Sequence, residues 1–122
     1  MNVAILGASE KPDRYAYKAF KKLREHGHSV YLVNPQLKEV EGMEVVAHLK
    51  DIKEKIHTVT MYVGPKISSA MAPEILAFKP QRVIFNPGSE NADLQSQLEK
   101  GGTRVVEGCT LVMLSLDQFE TA

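Results

Sequence analysis

A chain of 122 residues is the size of one ordinary domain, long enough to bury a core and too short for two full domains. Its 15 Lys and Arg balance 15 Asp and Glu, so no global field gathers nucleic acid or an anionic membrane surface, and any anion must be held locally. The single cysteine, Cys109, excludes an intramolecular disulfide and fits the reduced cytoplasm better than a secreted scaffold.

In chain order, the first apolar run is Val3-Ala4-Ile5-Leu6, too short and without the basic flank of a signal peptide. No later stretch approaches the ~20 apolar residues that span a bilayer. Further runs are Val30 to Val33, Val59 to Val63, Val83 to Phe85 and Val105-Val106. All are apolar without clean alternation, the pattern of strands buried on both faces, and Met43 to Leu49 is expected to add a short edge strand. Ala16, Ala19, Phe20 and Leu23 make one helix stripe at i, i+3, i+4 and i+7, with Gly27 placed as its C-cap. A second helix starts near Pro65 and buries Ile67, Met71 and Ile75; Pro73 either kinks it or divides it into two short helices. A third runs from Asn91 to Lys100, packing Leu94 and Leu98, and the tail from Leu114 forms a last short helix. Lys38 to Gly42 reads as the most flexible loop.

Strands alternating with helices imply right-handed crossovers and a doubly wound, mostly parallel sheet of five or six strands, with helices on both faces. Ligands of such sheets settle at the carboxyl ends of the strands, near the point where strand order reverses. Four segments then matter: Gly7 to Arg14, Asn34 to Gly42, Gly64-Pro65 and Asn86-Pro87-Gly88.

Gly7-Ala8-Ser9-Glu10-Lys11-Pro12-Asp13-Arg14 is the strongest local signal, lying between a buried strand and an amphipathic helix. Glycine and two small residues let backbone N–H groups approach an anion, and the helix N-terminus adds partial positive charge. The competing reading is a plain turn with solvated Lys11 and Arg14. Substituting Gly7 by Val is expected to block that approach at moderate cost to the fold. Pro12-Asp13-Arg14 stands where a P-loop needs its second glycine and Lys-Ser/Thr, and Lys11 replaces the second glycine of a nucleophile elbow at Ser9. The dinucleotide fingerprint lacks glycines at Ser9 and Pro12, and Asn34-Pro35 replaces its acidic ribose ligand. His26, His28, His48 and His57 lack metal-ligand spacing, and the two flanking Gly27 read as solvated turn residues. Cys109 has no base that can be assigned to it, and free cysteine is usually a small buried hydrophobe.

Val3 to Ser9, Pro12, Arg14, Val33-Asn34-Pro35, Gly42, Val63-Gly64-Pro65, Asn86-Pro87-Gly88 and Glu107-Gly108-Cys109 together resemble the CoA-binding domain family. Its small stand-alone proteins look like the N-terminal domain of the succinyl-CoA synthetase α subunit, and the resemblance covers nearly the whole chain. It implies one Rossmann-like domain, residues 1–122, that binds coenzyme A or an acyl-CoA. By the same resemblance the pyrophosphate lies near Gly7, Ala8 and Ser9. The adenosine part lies near Val33, Asn34, Pro35 and Lys38, with Val63, Gly64 and Pro65 flanking the adenine. Asn86, Pro87 and Gly88 lie toward the pantetheine arm. The chain departs from the family's glutamine-x-glycine turn and from its Asp or Asn before the terminal cysteine. Lys11, Arg14 and Lys38 supply cations at the expected rim, as a phosphate-rich ligand needs.

The resemblance also implies that the phosphorylated histidine and nucleotide-grasp parts of the ligases lie outside this domain, so binding without catalytic or metal residues is the first expectation. The alternatives are a small NAD(P)- or nucleotide-dependent enzyme, or a regulatory subunit with a vestigial pocket.

Overall fold

The computed structural model describes residues 1–122. A central sheet takes β1 (Asn2–Leu6), β2 (Ser29–Val33), β3 (Glu39–Val40), β4 (Met43–Val46), β5 (Thr58–Met61), β6 (Arg82–Phe85) and β7 (Arg104–Glu107) in the spatial order β3-β4-β2-β1-β5-β6-β7. Every pairing is parallel except β3 with β4. The expected edge strand at Met43 forms as β4, whereas β3 arises within Lys38 to Gly42, where a loop was expected. Glu41 and Gly42 both take positive φ, 49° and 82°, which turns the chain into a tight hairpin. The Glu41 carboxylate then docks on the first helix, α1 (Tyr15–Glu25), through the hydroxyl of Tyr17 and Nζ of Lys21 at 2.6 Å.

Alternate residues of each central strand feed two apolar layers, as the pleat requires. Val3, Ile5, Val30, Leu32 and Ile84 face α1 and α5 (Thr110–Ser115), where Ala16, Ala19, Phe20 and Leu23 form the expected stripe. Ala4, Leu6, Val33, Val83 and Phe85 face α2 (Pro65–Ala70), α3 (Ala72–Phe78) and α4 (Ala92–Lys100). Full burial of a side chain such as Phe20 or Leu23 contributes roughly 1.5–3 kcal/mol. The sheet is doubly wound, with helices on both faces.

Pro73 does divide the second helix, and α2 and α3 meet at Met71. Ile67, however, is 54% exposed rather than buried. Ser68 takes the inward position instead, because its hydroxyl accepts from Nδ2 of Asn91 at 2.9 Å, which rotates the helix and leaves Ile67 outside. The last helix begins at Thr110, earlier than Leu114, since the amide of Thr110 is pinned to Oδ1 of Asn86 at 2.9 Å; it ends before Asp117, whose φ is 55°.

At the opposite, amino-terminal end of the sheet, His28 is buried rather than solvated, its ring 5.0 Å from that of Phe119 in the tail. Burial, the largest cause, holds its pKa below the usual histidine value. Beside it the fully buried Arg82 donates from Nε to Thr58 Oγ1 and from Nη1 to the carbonyls of Phe119 and Ala122. These bonds tie the C-terminal segment to β5 and β6. Burial lowers the Arg82 pKa to about 10, which still leaves it charged at neutral pH.

Candidate functional site

β1 has β2 on one side and β5 on the other, so strand order reverses between β1 and β5. Over the carboxyl ends at that switch point lies a cleft of about 670 Å³. Nine of the sequence-predicted residues line it: Gly7, Ala8, Ser9 and Arg14 after β1, Asn34 after β2, Val63 and Gly64 after β5, and Pro87 and Gly88 after β6. Six do not. Val33 and Asn86 are buried behind the wall, while Lys11, Pro35, Lys38 and Pro65 are exposed outside the lining.

Gly7 is held by packing as well as by its turn. Its φ is 97°, and a Cβ there would lie 2.8 Å from the carbonyl oxygen of Tyr62 and 2.9 Å from Cγ1 of Val63. Only glycine lets β1 leave the sheet this close to β5. The expected moderate cost of Gly7→Val is therefore wrong: the side chain would meet backbone before it met any ligand. The amides of Gly7 and Ala8 both donate to the carbonyl of Val33, at 3.0 and 3.1 Å, so neither N–H is free for an anion. The amide of Lys11 donates to the Ser9 hydroxyl at 3.1 Å, which closes a compact turn.

What remains for an anion is the start of α1. Its N-cap is Arg14, in extended conformation with no side-chain cap, and its first turn carries no acidic residue. The first N–H groups of the helix and the guanidinium of Arg14 thus offer positive charge at the cleft. Asp13 is the one carboxylate in the lining.

Asn34 and Asn86 are braces. Asn34 donates from Nδ2 to the Ala8 carbonyl at 2.7 Å and accepts the Gln36 amide on Oδ1 at 2.8 Å. Asn86 donates to Thr60 Oγ1 and the Met61 carbonyl at 2.7 and 2.8 Å, and accepts the Thr110 amide. The floor of the cleft is fixed by these bonds. Sequence reasoning missed Asp13, Tyr15, Ala16, Met61, Tyr62, Ile67 and Ser89, all of which line it. Position next to the glycine turn could have signalled Asp13, Tyr15 and Ala16; Tyr62 and Ser89 had no local signal. The Tyr62 hydroxyl is buried without a hydrogen-bond partner, and burial pushes its pKa up to about 12, so it stays a neutral phenol. No histidine or cysteine lines the cleft; His26 and His28 line a smaller cavity of about 280 Å³ at the other end of the sheet.

The architecture is that of a Rossmann-like α/β protein with its cleft at the topological switch point. The chain belongs to the CoA binding domain family, whose model matches residues 1–115. YneT of Bacillus subtilis (strain 168) is 28% identical over 111 residues, covering 90% of this chain and 82% of that one. The solved structure of cell-free ID.343 from Thermus thermophilus superimposes with a TM-score of 0.89 at 32% identity, covering 97% of this chain and 90% of that one. The alpha subunit of acetate–CoA ligase (ADP-forming) II from Pyrococcus furiosus is 34% identical over 65 residues, which are 52% of this chain but only 14% of that subunit.

Proposed function

We propose that residues 1–122 act as one unit that binds coenzyme A or an acyl-CoA across the strand ends and performs no chemistry on it. The observation that carries this reading is the uncapped, acid-free start of α1, presented with Arg14 to a cleft at the switch point. A pyrophosphate fits there, because a helix N-terminus and a guanidinium both favour an anion. The cleft volume lies within the ~300–1,000 Å³ usual for cofactor sites. The adenosine end of the ligand lies toward Val33 to Pro35 and Lys38, with Val63 to Pro65 beside the adenine and Asn86 to Gly88 toward the pantetheine arm. Asn34-Pro35, not a carboxylate, stands at the end of β2 where a dinucleotide ribose would be received, and the Asn34 side chain is already bonded within the protein. The titratable groups lining the cleft are Asp13, Arg14, Tyr15 and Tyr62, with no histidine or cysteine among them. No helix is long and apolar enough to cross a membrane. The same reading makes this a cytoplasmic protein with a small-molecule ligand and no nucleic acid, in keeping with the lone thiol of Cys109 and the balance of 15 basic and 15 acidic residues.

Calorimetric titration with CoA, acetyl-CoA, NAD, NADP and ATP tests the reading. CoA or acetyl-CoA should bind at least ~10-fold more tightly than the other three, a difference of about 1.4 kcal/mol. Preference for NAD or NADP would replace the reading with a nucleotide-dependent enzyme. Silence from all five would favour a regulatory subunit with a vestigial pocket.

A further inference from the structure

Two turns that border the cleft are stitched to each other rather than merely adjacent. The Val33 carbonyl accepts the amides of Gly7 and Ala8, and the next residue, Asn34, returns a bond from its side chain to the Ala8 carbonyl at 2.7 Å. The other end of the same side chain accepts the Gln36 amide at 2.8 Å, which folds Pro35 to Leu37 into the turn that leads to Lys38. The Asn34 amide meanwhile donates to the Val46 carbonyl at 2.9 Å, and the Lys38 carbonyl receives the Val45 amide at 2.9 Å, so both ends of this turn are fastened to β4. One carboxamide therefore clasps the turn leading to α1 on one side and the segment leading to Lys38 on the other. The Asn34 carboxamide can do both because it carries a donor and an acceptor on one short stem.

We propose that Asn34 is a positioning residue: it sets the spacing between the anion-holding start of α1 and the Lys38 loop, and so selects ligands that carry phosphate groups at both places. This rests on the CoA reading above, and it assigns Asn34 to geometry rather than to ligand contact. Preorganisation of this kind raises affinity by removing the ordering cost at the moment of binding.

Two neutral variants separate the two arms of the clasp. Asn34→Ala removes both. Asn34→Ser keeps a hydroxyl able to accept from the residue two places on, yet it is too short to reach the Ala8 carbonyl. Amide hydrogen exchange in the ligand-free protein should show Gly7 and Ala8 faster by about tenfold in both variants, and Gln36 faster only in Asn34→Ala. In titrations, Asn34→Ala should weaken dephospho-CoA by roughly tenfold and CoA by up to about 100-fold, so that the ratio between them shrinks toward one. Asn34→Ser should weaken both ligands while keeping most of that ratio, a split that a loss of overall stability would not produce. Unchanged Gly7 and Ala8 exchange in both variants would overturn the clasp, and so would full recovery of affinity in Asn34→Ser. If the wild type binds neither ligand, the CoA reading fails, and the exchange pattern alone decides the clasp.

Discussion

Replacing Gly7 by Ala separates two costs that the structure assigns to one position. An L-residue at φ 97° loses about 1–2 kcal/mol to the contact of Cβ with the following carbonyl. The Cβ also needs space at 2.8 Å from the Tyr62 carbonyl oxygen, and overpacking against a sheet backbone that cannot rotate away costs about 1–3 kcal/mol. The sum, about 2–5 kcal/mol, is a large share of the ~5–15 kcal/mol that holds a domain folded. At ~4 °C per kcal/mol for a chain of this size, Tm should fall by roughly 8–20 °C, measured by circular dichroism without ligand. Gly88 supplies the control: its φ is 91°, but nothing lies within 4 Å of a Cβ there. Gly88→Ala should therefore show the conformational cost alone, roughly 4–8 °C. Equal melting of the two variants would refute the argument that Gly7 is required by its contact with β5, and a Gly7→Ala protein melting within ~3 °C of wild type would refute both parts.

Lys38→Ala should reduce the preference for CoA over dephospho-CoA toward one while leaving dephospho-CoA affinity nearly unchanged; the wild-type preference should be roughly tenfold, since the exposed side chain offers one charge-assisted bond to a 3′-phosphate, and calorimetry at fixed salt reads both. Tyr15→Ala and Ile67→Ala, at 68% and 54% exposed positions in the cleft, should leave Tm within ~2 °C while weakening CoA by roughly threefold or more; a large Tm loss would show that these side chains serve the core instead. His28 is held below its ordinary 6.5 chiefly by burial, so the unfolded chain binds its proton more readily; stability is full above pH 6.5 and falls as pH drops toward the lower folded value. Melting at pH 7.5 and 5.0 should show this loss, and His28→Gln should make it smaller; an unchanged slope would assign it to other groups such as His57, which burial and Arg82 shift in the same direction.

The parallel core was legible because its strands are apolar on both faces, and α1 because its stripe is regular. The edge strand at Met43 was legible as well, but its partner β3 was not, since it is only two residues long and depends on Glu41 reaching Tyr17 and Lys21, which lie far back in the chain. Ile67 was misplaced for the same kind of reason. Period alone made it a core residue, whereas Asn91, more than twenty residues later, rotates the helix by binding Ser68. His28 and Arg82 were opaque because the tail that covers them is distant in sequence. At the site, the glycine turn, Arg14, Asn34 and the loops after β5 and β6 could be located from motif position. Their roles could not, because a backbone N–H reads the same whether it faces an anion or the Val33 carbonyl.

That difference bears on what the cleft can do. Ser9, Asn34, Asn86, Ser89 and Asn91 are the polar side chains that a sequence search would offer as reactive or ligand-binding groups, and each is bonded within the protein. Ser89, for example, donates its hydroxyl to the Asn86 carbonyl at 2.7 Å. A catalytic hydroxyl or amide needs a lone pair or proton directed at the substrate. Most of those atoms hold the strand ends in register, and the surface left to a ligand is backbone, one guanidinium, one carboxylate, the hydroxyls of Ser9 and the tyrosines, and apolar side chains. Such a surface recognises shape and charge. Its affinity should thus fall as the ionic strength of the medium rises, as a site built on Arg14 and a helix N-terminus requires. Equal CoA affinity at low and high salt would refute an electrostatic site at the start of α1.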